Sequence, residues 1–263
     1  MLDFDFEKAN QVFLQYVKQY KAQDSRIDLR ILHTNHVVQN SEMIARSLRL
    51  SEEKVQLAKL IALLHDIGRF EQAKQYHNAI DYQTMDHASY GVWLLFEQNE
   101  IRNFIKQDIY DEIIKKAISN HNRLSIEKGL EKDQDIQVKI IRDADKLDSF
   151  RNKVVADTKA ICNATIEELS IEYITEKIYQ TFMQEKVIKT TDRKTHMDMW
   201  VSYIAFIFDF NFPICYQELA KTDYINQMID RIDYQVEDTK QKMENIREKA
   251  KEYIEKRISF KKD

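Results

Sequence analysis

Four histidines and two aspartates form the pattern in this sequence that could do chemistry: His33, His65 with Asp66 beside it, His87, His121 and Asp145. Each histidine falls in a stretch whose apolar residues recur at helical spacing, and on the apolar face of it. His33 shares its face with Val37, Ile44 and Leu48, and His65 follows Ala58 and Ile61. His87 lies with Gly91 and Leu94, and His121 continues the ladder of Ile113 and Ala117. Asp145, four residues after Ile141 and directly after Ala144, brings a carboxylate to an apolar side, where an unpaired charge costs several kcal/mol. A lone histidine on such a face is ordinarily a hydrogen-bonded core residue, but four of them with an adjacent His-Asp pair ask for a shared cause. A divalent cation supplies one, because neutral imidazole nitrogens and carboxylate oxygens suit zinc, iron or manganese.

The elements that must carry these groups are helices. Only three glycines and one proline occur in 263 residues, so the tight turns that sheets need are nearly absent. Helical periodicity runs through Phe6 to Tyr20, His33 to Leu48, Lys54 to Asp66, His87 to Gln98, Ile109 to His121 and Ile136 to Val155, with several helices after that. The expected class is all-α. Ser51 before Glu53 and Lys54 reads as a helix start, and Gly68 as a helix end in the left-handed conformation, which sets the His-Asp pair at a helix C-terminus. Residues 69–86 and 122–135 are polar and poorly periodic and read as long loops.

Composition narrows the function classes. A net charge of −4 with 32% charged residues provides no basic field for a nucleic acid duplex or an anionic membrane. The N-terminus, MLDFDFEKAN, is acidic where an export signal would be basic and apolar, so a cytoplasmic protein is expected. Cys162 and Cys215 lack metal-binding spacing and read as buried free thiols. The apolar run from Trp200 to Phe212 is interrupted by Asp209, is too short for a bilayer span, and reads as a core helix. Met243, Ile246, Ala250, Tyr253, Ile254 and Ile258 make the terminal stretch amphipathic, suited to packing on its own domain or, alternatively, to forming a homodimer.

The order of the chemical residues and their contexts, LLHDIGRF at 63–70, DHASYG at 86–91, SNHN at 119–122 and DADKLD at 143–148, resembles the HD superfamily of metal-dependent phosphohydrolases. The resemblance covers roughly residues 30–155. It implies an HD-domain helical bundle, here read as an N-terminal helix over 1–24, a metal-binding core over 25–160 and a helical extension over 161–263 packed on the core. It implies one metal held by His33, His65, Asp66 and Asp145, and a second held by His87 and His121 with Asp66 bridging. One or two ions of iron, manganese, zinc, nickel, cobalt or magnesium are therefore expected. The first ligand has two candidates in HTNHVV; the family's apolar residue four positions on selects His33, and leaves His36 as a substrate contact or a support for the ligands.

Hydrolysis of a phosphate ester needs a nucleophile at neutral pH and compensation of phosphoryl charge, and a bound metal, which lowers the pKa of its water towards about 7, supplies both. On this reading Asp66 orients the water. Arg69 occupies the position of the family's basic residue and, where many relatives have lysine, offers a planar fork for phosphate rather than a proton. Arg123 and Lys146 add positive charge near the substrate or are solvated side chains, and Asp148 orients a ligand or caps its helix. His77 and His196 read as ordinary surface residues. The implied activity is hydrolysis of a phosphomonoester, phosphodiester or phosphoanhydride of a nucleotide or other small phosphate compound. A metal-loaded nucleotide-sensing module without turnover and a di-iron oxygenase are the alternatives.

Overall fold

A computed structural model describes residues 5–20, 27–76 and 81–259, and among them there is no β-strand. The chain divides into two units, Met1–Asp145 and Lys146–Asp263.

The first unit begins with α1 (Phe6–Lys18), whose N-cap Asp5 accepts the N–H groups of Glu7 and Lys8 and whose Ala9, Phe13 and Val17 are buried. The next helix, α2 (Ile27–Ser47), ends where Arg49 turns left-handed (φ 55°) and the Leu50 N–H reaches back to Ala45 O at 3.3 Å. This reverses the chain into α3 (Glu52–Leu64), and the two helices pack along their length. Residues Leu57, Ala58 and Leu60 to Leu64 of α3 are all buried, as expected of a helix enclosed by neighbours. Those neighbours are α1, α2 and, further along the chain, the helix that ends at His121.

After the His-Asp turn comes α4 (Gly68–Tyr76), so the polar segment expected as loop from residue 69 is helical to residue 76. Its periodicity is obscured because its buried positions include Gln72 beside Phe70 and Ala73. The Gln72 amide donates to Asp81 Oδ1 (3.0 Å), Thr84 Oγ1 (2.7 Å) and Met85 O (3.0 Å), which fastens the following segment to α4. The reading of Gly68 is also corrected: it begins α4 rather than ending α3, and its φ is not positive. It is needed because α4 and the next helix, α5 (His87–Val92), approach closely. A Cβ on Gly68 would lie 2.2 Å from His87 O and 3.0 Å from Gly91 N, and one on Gly91 3.3 Å from Ile67 Cγ2.

The α5 helix continues as a π-helical turn, Trp93–Glu97, and is followed by the short α6 (Ile101–Phe104), by α7 (Asp111–Asn120) and by α8 (Lys132–Val155). Irregular chain between α7 and α8 matches the loop expected over most of 122–135. The division between the two units falls within α8.

The second unit contains α9 (Thr158–Cys162), α10 (Ile166–Ser170), α11 (Glu176–Met183), α12 (His196–Ile204), α13 (Pro213–Thr222), α14 (Tyr224–Asp230) and α15 (Glu237–Ser259). As expected, the Trp200 region is core: Trp200, Val201, Ile204, Ala205 and Ile207 are buried, and the indole N–H donates to Met228 O. The apolar face of α15 packs against α11, α13 and α14, with Met243, Ile246, Ala250, Tyr253 and Ile254 buried. Cys162 and Cys215 are buried and form no disulfide. No helix among the described residues is long and apolar enough to cross a membrane.

Candidate metal centre

The site lies entirely within the first unit and is assembled from helix ends and two helix faces. His65 caps the C-terminus of α3 and Asp66 occupies the turn after it. His87 is the first residue of α5, fixed there by Asp86, whose carboxylate accepts the N–H groups of Ala88 and Ser89. His121 caps the C-terminus of α7, with its N–H reaching Ile118 O. His33 comes from α2 and Asp145 from α8, and these helices are joined beside the site by the Asn40 side chain, which donates to Ala144 O at 3.1 Å.

These six residues converge, with Asp66 at the middle. Its Oδ2 lies 3.9 Å from His33 Nε2 and 3.8 Å from His65 Nε2, and Asp145 Oδ1 lies 3.3 and 4.0 Å from the same nitrogens. Its Oδ1 lies 3.1 Å from His87 Nε2 and 3.5 Å from His121 Nε2. The ligand-type atoms of His33, His65 and Asp66, of His65, His121 and Asp145, and of Asp66, His87 and His121 each form a group tight enough to hold a metal ion. The groups formed by the described residues include His33 and not His36.

The backbone fixes what these nitrogens offer. Carbonyl oxygens only accept, so the Nδ1–H of His65 donates to Ala62 O and that of His121 to Ile118 O, each at 2.7 Å. The Nδ1–H of His87 donates to Asp81 Oδ2 at 2.8 Å. In the neutral rings all three Nε2 atoms therefore present lone pairs. His65 Nε2 is buried with no hydrogen-bond partner, and the Nε2 atoms of His87 and His121 face each other at 3.0 Å. Opposed lone pairs beside a carboxylate repel unless a proton or a metal cation lies among them, so the donor set fits a divalent ion on a physical criterion.

Electrostatics agree with a set of ionised carboxylates and a neutral His65. Burial, partly opposed by Asp66 and Asp145, lowers the His65 pKa to about 4. Asp66 and Asp145 are held well below the usual carboxylate range: burial opposes ionisation, but the surrounding imidazoles outweigh it. His87 is shifted up. Burial and the Arg69 charge act against its protonation, and the carboxylates of Asp66 and Asp81 overcome them.

A family model described as HD domain matches residues 30–149. Residues 30–149 are an HD domain. The matched segment contains all six converging residues, and the all-α architecture is that of the family. HD domains bind divalent metals, and the His/Asp groups of this one could hold them. No curated protein and no solved structure matches the chain.

The other residues singled out in the sequence lie as follows. The Arg69 guanidinium stands with Nε 3.7 Å from Asp66 Oδ1 and donates through NH1 to Asp81 Oδ1 and Gln72 Oε1, both at 2.7 Å. Arg123, half in solvent, pairs with Glu127 at 3.3 Å. Its carbonyl and that of Asn120 accept from the buried Arg142, which holds the turn after His121. Lys146 follows Asp145 on α8 and pairs with Asp209 at 2.9 Å. Asp148 accepts a 2.5 Å hydrogen bond from Arg151 Nε. His36 is half-buried on α2, His196 is partly exposed and bonds Glu172, and His77 lies outside the described residues. Sequence reading passes over Asp81, which stands in a polar segment with no periodicity. The one signal available was its position shortly before DHASYG.

Proposed function

We infer that this HD domain is a metal-dependent phosphohydrolase acting on a small phosphate compound, with a nucleotide as the favoured class. One observation carries the reading: the two oxygens of Asp66 address two separate pairs of histidines, His33 with His65 and His87 with His121. His33, His65, Asp145 and Asp66 Oδ2 would hold one ion, and His87, His121 and Asp66 Oδ1 a second. Bound there, such ions supply an acidified water and neutralise phosphoryl charge.

The chain's own residues complete the site. Asp66 stays ionised through the neutral range and ties the two groups together from a turn enclosed by α3 and α4. His65, His87 and His121 are locked by their Nδ1–H bonds, so their rings need no reorganisation to bind. Arg69, with its Nε beside Asp66 and one arm anchored on Asp81, offers the N–H edge of its guanidinium to a phosphoryl oxygen. A guanidinium there binds phosphate rather than serving as a proton donor.

A second reading, a phosphate-compound sensor that binds without turnover, draws support from the pairing of Arg69, Arg123 and Lys146 with acidic partners, which leaves the metals as the main source of positive charge. The two readings separate in one experiment. Purified protein loaded with manganese or iron is screened against nucleotides, phosphomonoesters and phosphodiesters, beside Asp66→Ala. Hydrolysis that falls at least about 10²–10³-fold in the variant is expected, the loss of several kcal/mol of charge stabilisation. Activity that survives the substitution unchanged overturns the enzyme reading, and a ligand that raises the melting temperature without forming product supports the sensor.

A further inference from the structure

Asp81 is in none of the groups that contain Asp66; with Asp86 and His87 it forms a fourth cluster that could hold an ion, and through His87 and Arg69 it closes a circuit with Asp66. His87 Nε2 lies 3.1 Å from Asp66 Oδ1, and His87 Nδ1–H donates to Asp81 Oδ2 at 2.8 Å. Asp81 Oδ1 accepts from Arg69 NH1 at 2.7 Å, and Arg69 Nε returns to within 3.7 Å of Asp66 Oδ1. Carboxylate, imidazole, carboxylate and guanidinium thus alternate around a ring. Gln72 Nε2 steadies Asp81 Oδ1 from α4 at 3.0 Å, and Asn122 Nδ2 approaches Oδ2 at 3.3 Å from the turn after His121.

The ring matters because a neutral imidazole beside a carboxylate has two tautomers. Left to itself, His87 would place its proton on Nε2 and donate it to Asp66, which would hide the lone pair that a metal needs. An acceptor on the Nδ1 side reverses that preference. The nearby carboxylate of Asp86 is engaged with the N–H groups of Ala88 and Ser89 and with the Asn122 amide, so Asp81 is the acceptor that His87 meets.

We propose that Asp81 is a positioning residue: it holds His87 in the Nδ1–H tautomer with Nε2 turned to Asp66 and His121, and through its other oxygen it sets the guanidinium of Arg69 against the same site. This rests on the two-ion reading given above and assigns the second ion's affinity to a residue that does not touch it.

The test is a titration of the metal-free full-length chain with Mn(II), counting ions and their affinities, for wild type, Asp81→Ala and Gln72→Leu. It is accompanied by nitrogen NMR of the His87 ring in metal-free wild type at mildly alkaline pH. Two ions per wild-type chain are expected. Asp81→Ala should keep the first and weaken the second by about 10–100-fold, the usual effect of losing a partner behind a ligand. Gln72→Leu, which removes one bond that steadies Asp81 but leaves the Asp81–His87 contact in place, should lower the melting temperature and weaken the second ion clearly less than Asp81→Ala does. The NMR spectrum should show the proton on Nδ1 in the wild type, a readout that does not depend on how any variant folds. An Nε2–H tautomer in the wild type, a second ion bound as tightly by Asp81→Ala, or an equal loss in Gln72→Leu overturns the proposal alone. A wild-type chain that takes up no Mn(II) overturns the metal reading and this inference with it.

Discussion

Both units of this chain bury acids and use histidines, but they satisfy them in opposite ways. In the second unit Asp198 is fully buried and its needs are met by the chain: it accepts from the N–H groups of Thr175 and Lys194, each at 2.9 Å, and from the Thr175 hydroxyl. Glu172 likewise accepts from the Met197 N–H and from His196. In the first unit Asp66 and Asp145 lie among imidazoles, of which those of His65, His87 and His121 donate their Nδ1–H elsewhere, and the buried His65 Nε2 has no partner. A closed hydrogen-bond set marks a polar group that holds the fold. An open one that converges on a point marks a group waiting for a ligand, and burial alone does not tell the two apart.

The contrast can be broken at either end. The largest stability effect should come from Asp198→Ala, which strips the acceptor from the backbone N–H groups of Thr175, Lys194 and Thr195; at about 1–3 kcal/mol for each unsatisfied donor, a loss of at least about 3 kcal/mol is expected. Chemical denaturation measures it, and metal uptake should be unchanged. Gly68→Ala tests whether the first unit depends on the approach of α4 to α5. Its methyl would meet the His87 carbonyl, so a cost of about 1–3 kcal/mol is expected, together with weaker metal binding because His87 is displaced. A variant as stable and as metal-competent as wild type would remove the steric account of that glycine.

A further effect is one of pH, and it sharpens the comparison. His65 has a pKa of about 4 when folded against about 6.5 when unfolded, so between these values the unfolded chain binds more protons. Metal-free protein should therefore hold His65's contribution above about pH 6.5 and lose it progressively as pH falls towards 4. His65→Asn should flatten that limb in a series of denaturation midpoints. An unchanged limb would assign it to other groups.

Much of this could be read in the sequence, because the chemical residues sit on or at the ends of helices with strong periodicity. Ala58, Ile61 and the run to Leu64 announce a buried helix, and His65 and Asp66 follow from it. What escaped was tertiary. Gly68 was given a local explanation, left-handed backbone, when its cause is a carbonyl from another helix. The α4 helix was hidden because Gln72 fills a core position, where its amide meets partners far from it in sequence. Asp81 carries no pattern at all; its importance appears only when His87, Arg69 and Gln72 meet around it.

The clasp formed by Arg142 bears on how such a centre could diversify. By gripping the carbonyls of Asn120 and Arg123, while the Asn120 side chain takes the N–H of Glu127, the fold isolates His121 from whatever the chain does next. Only beyond that clasp comes Gly129, where the backbone turns left-handed at φ 81° in open space. The rim there can be lengthened, shortened or redecorated as an interchangeable part while the coordinating imidazole stays where it is, which separates the evolution of selectivity from the upkeep of the reactive core.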